Sequence, residues 1–314
     1  MSATIGVDVG GTKIAAGVVD GDGRVLERIR IATPASSTSG IEEGIAQAAA
    51  TLASRHDVAA LGVAIAGFVD EKRSTLRFAP NLAMKDRPLR ALLEPRVGLP
   101  VVVENDANAA AWGEFRFGGG RGVDDMVLIT VGTGLGGGII LGGRLLRGAY
   151  GAAAELGHVR AVPEGHLCGC GKRGCWEQYA SGTALVSAAR ALARNHPGSA
   201  ARLLELAGGK AEVIEGVMVS QAAREGDAGA LALFGELGRW LGEGIADVAD
   251  VLDPAVVVIG GGVSEVGELL LGPTRDAFAG QLSASAHRPH LRITVAELGN
   301  DAGIIGAADL ARPR

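Results

Sequence analysis

Apolar residues fall into two kinds of stretch along this chain: short runs bounded by glycine, and longer stretches with helical spacing. Residues 4–9 (TIGVDV) read as a buried strand, Gly10 and Gly11 turn the chain, and residues 14–20 read as the returning strand. A second turn at Asp20-Gly-Asp-Gly23 leads into residues 25–31, which completes a three-stranded antiparallel meander. Residues 40–55 are alanine-rich with helical periodicity. Strands are then expected at 58–66 and 101–104, and a helix at 107–117. Residues 118–122 carry four glycines and read as a hinge between domains.

The pattern then restarts. A strand at 126–131 is followed by a glycine turn at 132–138, and residues 139–141 and 144–147 form a hairpin about Gly142-Gly143. Helices are expected at 181–195 and at 228–252. In the second, Leu231, Phe234, Leu237, Leu241, Ile245, Val248 and Leu252 recur three or four apart, and Asp253-Pro254 stops the run. That stripe is read as core. A buried strand at 255–259 ends in Gly260-Gly261-Gly262, a helix begins near Ser264, a last strand spans 291–295, and a closing helix spans 302–311. A β-β-β-α-β-α unit therefore occurs twice, and its two copies open alike, DVGGTKIAAGVV and TVGTGLGGGIIL. Duplication on this scale predicts an α/β protein of two similar lobes with a cleft between them.

Composition narrows the function classes. With 314 residues, of which 47% are hydrophobic and 21% charged, the chain can bury a large core. A net charge of -5 gives no footprint for nucleic acid or an anionic membrane surface. The N-terminus lacks the charged and apolar regions of a secretory signal, and no apolar run is long enough to span a bilayer. Glycine is the outlier, at 50 residues. Its clusters follow apolar runs, as in loops built to approach phosphates.

All three cysteines, Cys168, Cys170 and Cys175, lie in the stretch ELGHVRAVPEGHLCGCGKRGCWE, ten residues and more beyond His158. Three thiolates and an imidazole are a closed tetrahedral set for a structural zinc. Gly169, Gly171 and Gly174 allow the tight backbone that such a set needs. The alternative is three unligated thiols. Metal-ligand spacing points to a reducing compartment, the cytoplasm. Glu155 and Glu177 bracket the cluster. With His158, whose second ring nitrogen stays available, they suit a neutral, hydroxyl-rich ligand, or else they are solvated surface charges.

The turn Asp8-Val-Gly-Gly-Thr-Lys13 gathers backbone amides at Gly10 and Gly11, the Thr12 hydroxyl, the Lys13 ammonium and a carboxylate. Amides and hydroxyl suit phosphate oxygens, and Asp8 suits the hydration shell of Mg²⁺; a plain hairpin turn is the alternative. Thr133 and Gly134 repeat the arrangement. The run after Val131 also fits G-x-G-x-x-G, but hairpin sequence follows where a dinucleotide fold needs a helix, and no P-loop motif is present. Gly261 and Gly262 could give an adenosine or its phosphates close backbone access, or simply let a strand and a helix pack. Glu104-Asn-Asp-Ala-Asn108 closes a strand. Asp106 is the candidate general base for a hydroxyl nucleophile and Asn105 a partner for sugar hydroxyls; the alternative for Asp106 is a helix N-cap. Asn81 is a further candidate for sugar contact.

The segments D-V-G-G-T-K, E-N-D-A-N, E-L-G-H and C-G-C-G-K-R-G-C-W-E resemble those of the ROK family of sugar kinases and sugar-responsive repressors, its glucokinases above all. The resemblance spans nearly the whole chain. It implies an actin-like, hexokinase-superfamily fold with a zinc-bearing insert at 148–180. The first lobe would be residues 1–119 joined by the helix at 301–314, and the second residues 120–300. It implies ATP with Mg²⁺ at Asp8–Lys13, Asp106 as base, Asn105, Glu155, His158 and Glu177 on the sugar, and zinc on His158, Cys168, Cys170 and Cys175. The product would be glucose 6-phosphate, an entry point of carbohydrate metabolism, and the assembly a homodimer or homotetramer. Alternatives are a kinase for N-acetylmannosamine, fructose or allose, use of polyphosphate as donor, and a sugar-responsive regulator. The regulators carry a helix-turn-helix domain before the D-x-G-G-T turn, and here Asp8 stands almost at the start.

Overall fold

The structure, a computed structural model, describes residues 2–313. In chain order the strands are β1 (Ala3–Val9), β2 (Lys13–Val19), β3 (Val25–Ala32), β4 (Val58–Ile65), β5 (Phe68–Val69), β6 (Leu76–Phe78), β7 (Lys85–Arg87), β8 (Val101–Asn105), β9 (Met126–Val131), β10 (Leu135–Leu141), β11 (Arg144–Leu145), β12 (Val256–Gly260) and β13 (Arg292–Val295). The helices are α1 (Thr38–Ala53), α2 (Leu89–Val97), α3 (Asp106–Phe117), α4 (Gly182–Asn195), α5 (Ala201–Leu206), α6 (Gly216–Arg224), α7 (Ala228–Leu252), α8 (Glu268–Gln281) and α9 (Ala302–Ala311). The chain divides into two compact units. One comprises Met1–Leu128, Gly137–Ala154 and Ala296–Arg314, the other Ile129–Gly136 and Glu155–Val295.

The first unit is built on a sheet of order β3-β2-β1-β4-β8, with β1, β4 and β8 parallel and the β1-β2-β3 meander antiparallel. Ile5, Val7, Val9, Leu61, Val63 and Ile65 are fully buried, as expected of strands covered on both faces. One face packs on α1 and α2 through Ile41, Ile45, Leu52, Leu89 and Leu93. The other carries α9. Gly17, Gly6 and Gly62 stand in one row across three strands. A Cβ on Gly6 or Gly62 would sit 1.9 Å from an α9 carbonyl oxygen. The row is a groove in which the helix backbone lies directly on the sheet. Overpacking it would cost about 1–3 kcal/mol or more. Part of the glycine excess thus serves packing, where the sequence pattern had assigned it to phosphate loops.

A second sheet has the order β11-β10-β9-β12-β13. In the second unit β12 and β13 run parallel, and α7 packs on α8. Asp227 caps α7 by accepting from the Ala230 N–H at 2.8 Å, and Asp253, in the left-handed region at φ 46°, ends it. Phe234, Leu237, Leu241 and Ile245 of the expected stripe are buried, while Leu231 at its start is 37% exposed. Gly238 and Gly242 bring α8 close: a Cβ on Gly242 would stand 2.3 Å from the Thr274 carbonyl oxygen.

Several elements differ from the pattern-based expectation. Residues 135–138, expected in a turn, belong to β10. Gly138 is there because a Cβ would meet the Ala111 side chain at 2.4 Å and the Ala107 carbonyl oxygen at 2.9 Å. The helix expected from Ser264 begins as a 3₁₀ turn, Gly262–Val266, and Gly267 at φ 63° breaks it before α8. β11 keeps only two of the four residues expected. The small sheet β5-β6-β7 and helices α2, α5 and α6 are too short to give a strong signal.

Candidate active site and metal centre

In the first unit the candidate groups lie at the C-terminal ends of parallel strands, where α/β sheets bind ligands. Asp8, Ala64 and Glu104 are paired in register across β1, β4 and β8. Two strand spacings put β1 and β8 about 10 Å apart. Asp8 leads into the turn, where the Gly10 N–H donates to the Lys13 carbonyl at 3.0 Å. Thr33 braces the turn, its hydroxyl on the Gly10 carbonyl at 2.8 Å and its N–H on the Thr12 carbonyl at 3.0 Å. Gly11, Thr12 and Lys13 are exposed. Neither Gly10 nor Gly11 has a positive φ, so what they contribute is room. Beside Gly11 only Asn81 comes near, at 3.8 Å from a notional Cβ. Burial, then the charge of Asp106, push the Asp8 carboxyl up to about 6, against the pull of Lys13.

Asn105 and Asp106 mark the junction of β8 and α3. Asn105 caps the helix: its side-chain oxygen accepts from the Asn108 N–H at 3.0 Å, and its amide donates to the Gly67 carbonyl at 3.1 Å. The capping role open to Asp106 therefore belongs to its neighbour. Asp106 is the first helical residue, and burial pushes its carboxyl up, with hydrogen bonds from its own backbone, Ala107 and Asn105 opposing. A carboxylate raised this way is a better proton acceptor.

In the second unit the turn after β9 is gripped from below. The Gly182 N–H, at the start of α4, donates to the Gly132 carbonyl at 2.8 Å, and the Thr183 hydroxyl donates to the Thr133 carbonyl at 2.6 Å. A Cβ on Gly134 would meet Glu177 Oε2 at 2.8 Å. Gly261 needs its glycine for structure, with φ 84° and the Val131 carbonyl oxygen 2.5 Å from a notional Cβ. Gly262 is exposed with open space around it.

The cysteine loop carries two isolated antiparallel bridges, Arg160 with Cys175 and Leu167 with Arg173. Gly171 and Gly174 take φ 87° and 77°, the tight turning expected of them. One ligand atom from each of His158, Cys168, Cys170 and Cys175 lies within 4.8 Å of every other. Cys170 and Cys175 sulfurs are 3.5 Å apart, and Cys168 sulfur is 3.7 Å from His158 Nδ1. A tetrahedron with metal–sulfur bonds of about 2.3 Å has edges of roughly 3.7 Å, so the donor set fits zinc. Nδ1 faces the cluster, which leaves Nε2 for a second partner. Glu177 Oε1 accepts from the Cys168 thiol at 3.0 Å and stands 3.6 Å from His158 Nδ1. The next-door Trp176 is buried against Gly244 and donates to the Trp240 carbonyl at 2.8 Å, fixing the loop to α7. Glu155 is exposed at the N-terminus of the 3₁₀ turn Leu156–His158, where the His158 N–H donates to the Glu155 carbonyl at 3.0 Å.

The ROK family profile matches residues 4–314. The chain belongs to the ROK family. Glucokinase of Streptomyces coelicolor is 51% identical over 312 residues, 99% of this chain and 98% of that protein. N-acetylmannosamine kinase of Escherichia fergusonii is 37% identical over 312 residues, 98% of each. The crystal structure of a ROK family glucokinase from Streptomyces griseus, in complex with glucose and AMPPNP, is 56% identical with a TM-score of 0.90 and covers 99% of both chains. The ROK/hexokinase-like α/β fold is therefore shown, as the duplicated pattern and the resemblance implied. Within this family fold, sequence reasoning missed the groups that hold the site residues: Arg73, Arg147 and Asn108 around Glu104, and Thr183 under the second turn. Asn108 lies within E-N-D-A-N but carried no assigned role; no motif marks the other three, because each acts on a residue distant in the chain or on backbone.

Proposed function

We propose that this protein transfers the γ-phosphoryl group of ATP to the 6-hydroxyl of D-glucose. What carries the chemistry is Asp106, a raised carboxylate at a strand end that Asn105 relieves of capping. It accepts the hydroxyl proton as the oxygen attacks phosphorus, and the phosphoryl group passes in line from ATP to the sugar, with ADP as the leaving group. The choice of glucose is supported by the 51% identity to a glucokinase along the full chain. In the first unit the amides of Gly10 and Gly11, with Thr12 and Lys13, bind phosphate oxygens, while Asn105 and Asn81 bind sugar hydroxyls. In the second, Thr133, Gly134, Gly261 and Gly262 serve the nucleotide. There Glu155, His158 and Glu177 take the sugar, His158 through Nε2. Mg²⁺ bound to the triphosphate would neutralise charge that builds in the transition state, and Asp8 would hold its water shell. Zinc on His158, Cys168, Cys170 and Cys175 would fix the loop that carries Glu177.

We further assign residues 1–119 with the closing helix, and 120–300, to two lobes, and infer a homodimer or homotetramer in a reducing cytoplasm. Light scattering on the purified chain reads the assembly. The activity is tested by ATP turnover on a panel of D-glucose, N-acetylmannosamine, fructose and allose, with polyphosphate as the alternative donor. Glucose with ATP should give the highest kcat/KM. A higher value for another sugar, or turnover with polyphosphate in place of ATP, would overturn the assignment.

A further inference from the structure

Glu104, two residues before the proposed base, is 3% exposed. A carboxylate at that depth needs partners, and both of its oxygens have them. Arg147 Nε donates to Oε2 at 2.7 Å, and Arg73 Nε stands 3.2 Å from the same atom. Asn108 Nδ2 and the Asn105 N–H both reach Oε1 at 3.2 Å. So held, Glu104 is no alternative base.

The partners come from three separate pieces of the first unit. Asn105 and Asn108 open α3 on either side of Asp106. Arg73 sits in the turn between β5 and β6, at a left-handed φ of 57°; Asp70 closes that turn, accepting from the N–H groups of Ser74 at 2.8 Å and Thr75 at 3.0 Å. Arg147 begins the segment 147–154, which runs directly into Glu155. That segment has no regular structure of its own. Gly148, Gly151 and Ala154 all take positive φ, at 74°, 81° and 69°, and Tyr150 is 85% exposed. Three contacts fix it. Arg147 reaches Glu104, the Ala153 N–H donates to the Arg147 carbonyl at 3.0 Å, and Gly151 seats on β5, where a Cβ would stand 2.1 Å from the Val69 carbonyl oxygen.

We propose that Glu104 is a positioning residue for phosphoryl transfer. Through Arg147 it holds residues 147–154 as a strap whose last residue is bonded to Glu155. Through Asn105 and Asn108 it sets the helix start that presents Asp106. The inference rests on the reading of Glu155 as a sugar ligand and Asp106 as base. An arginine is required at 147, because a lysine offers a point charge where the guanidinium offers a directed N–H. The nucleotide turn at 10–13 is braced separately, by Thr33.

Steady-state kinetics on Arg147→Met, Arg147→Lys and Glu104→Gln test this. Arg147→Met should raise KM for glucose about tenfold or more, with KM for ATP within about twofold of wild type and kcat reduced less than KM rises. Arg147→Lys should recover part of the glucose KM. Glu104→Gln should raise glucose KM and lower kcat together, since it loosens both the strap and the helix start. A folded Arg147→Met enzyme with wild-type glucose KM, or with both KM values raised alike, overturns the proposal. Should that variant not fold, Gly151→Ala, which lifts the strap from β5 without changing charge, reads the same split. If wild type itself does not phosphorylate glucose, the functional assignment fails on its own, and the split is read on the hexose that it does accept.

Discussion

Around Glu104 in the first unit, two arginines and two asparagines converge on one carboxylate. Around His158 in the second, three sulfurs and a ring nitrogen converge on a space sized for one ion. The first cluster sets two guanidiniums against one carboxylate and hydrogen-bonds both of its oxygens, while Arg73 Nε and Asn108 Oδ1 have no hydrogen-bond partner. The second gathers the donors of a metal site. There burial pushes the Cys168 and Cys175 thiols up, and the neighbouring Glu177 carboxylate adds to the shift at Cys168. In the proposed function each cluster supports one part of the sugar site. The contrast teaches that one part is organised by packing and ion pairing, while the other has the donor set of a zinc site, where metal-binding free energy would become folding free energy of the loop.

The largest expected effect comes from removing function while leaving the first cluster intact. Asp106→Asn should lower kcat about 10²–10⁴-fold, the usual range for a lost general base. Glucose affinity should stay within about tenfold, and thermal stability should hold because Asn105, not Asp106, is the cap. Turnover and calorimetric glucose binding on the one variant decide it; near-normal kcat removes Asp106 as base.

Stripping metal should break the second cluster selectively. Chelation or Cys168→Ser should weaken glucose binding by about 10–100-fold, the range seen when metal-site support is lost. Nucleotide affinity should fall less, because the second turn leans on Glu177 and α4 while the first does not. Elemental analysis should find one zinc per chain, and fully active protein without zinc would refute this.

A smaller difference is expected between the two glycine turns. Gly11→Val places its side chain in open space and should weaken ATP binding by about tenfold with glucose binding unchanged. Gly134→Val pushes on Glu177 and should weaken both ligands. Equal profiles for the two variants, by calorimetry, would show that the second turn is not coupled to the sugar side.

The smallest effect concerns pH. Asp8 titrates near 6 when folded, above its unfolded value, so between about pH 4 and 6 the folded chain keeps a proton that the unfolded chain has released. Stability without ligand should therefore fall as pH rises through that window, by on the order of 2 kcal/mol at most given partial exposure. Asp8→Asn should melt higher than wild type at pH 7.5 and match it more closely at pH 4. An unchanged melting difference between the two pH values would reject the shift.

Much of the fold was legible because its elements are long and strongly patterned: the β1-β2-β3 meander, α1, α3, α7 and the strands β9 and β12 all fall within a residue or two of expectation. Elements without that length escaped notice. β5, β6 and β7 hold two or three residues each, and α6 buries mainly alanines beside Val219. The extent of β10 was misread because its glycines resemble a turn; the reason for Gly138, the close approach of α3, lies elsewhere in the chain.

The sequence by itself determined the chemistry available. The candidate zinc donors Cys168, Cys170 and Cys175 sit within eight residues, the candidate phosphate turn within six, and the carboxylate and amides of 104–108 within five, so spacing alone brings them together. Only the tertiary structure decided how that chemistry is held. It chose Asn105 over Asp106 as cap, laid α9 into the Gly17-Gly6-Gly62 groove, set Glu177 under Gly134, and paired Glu104 with Arg147, 43 residues away. Those choices depend on which distant backbones come close enough to exclude a Cβ and on which buried charges must find one another, and no local pattern of side chains encodes either.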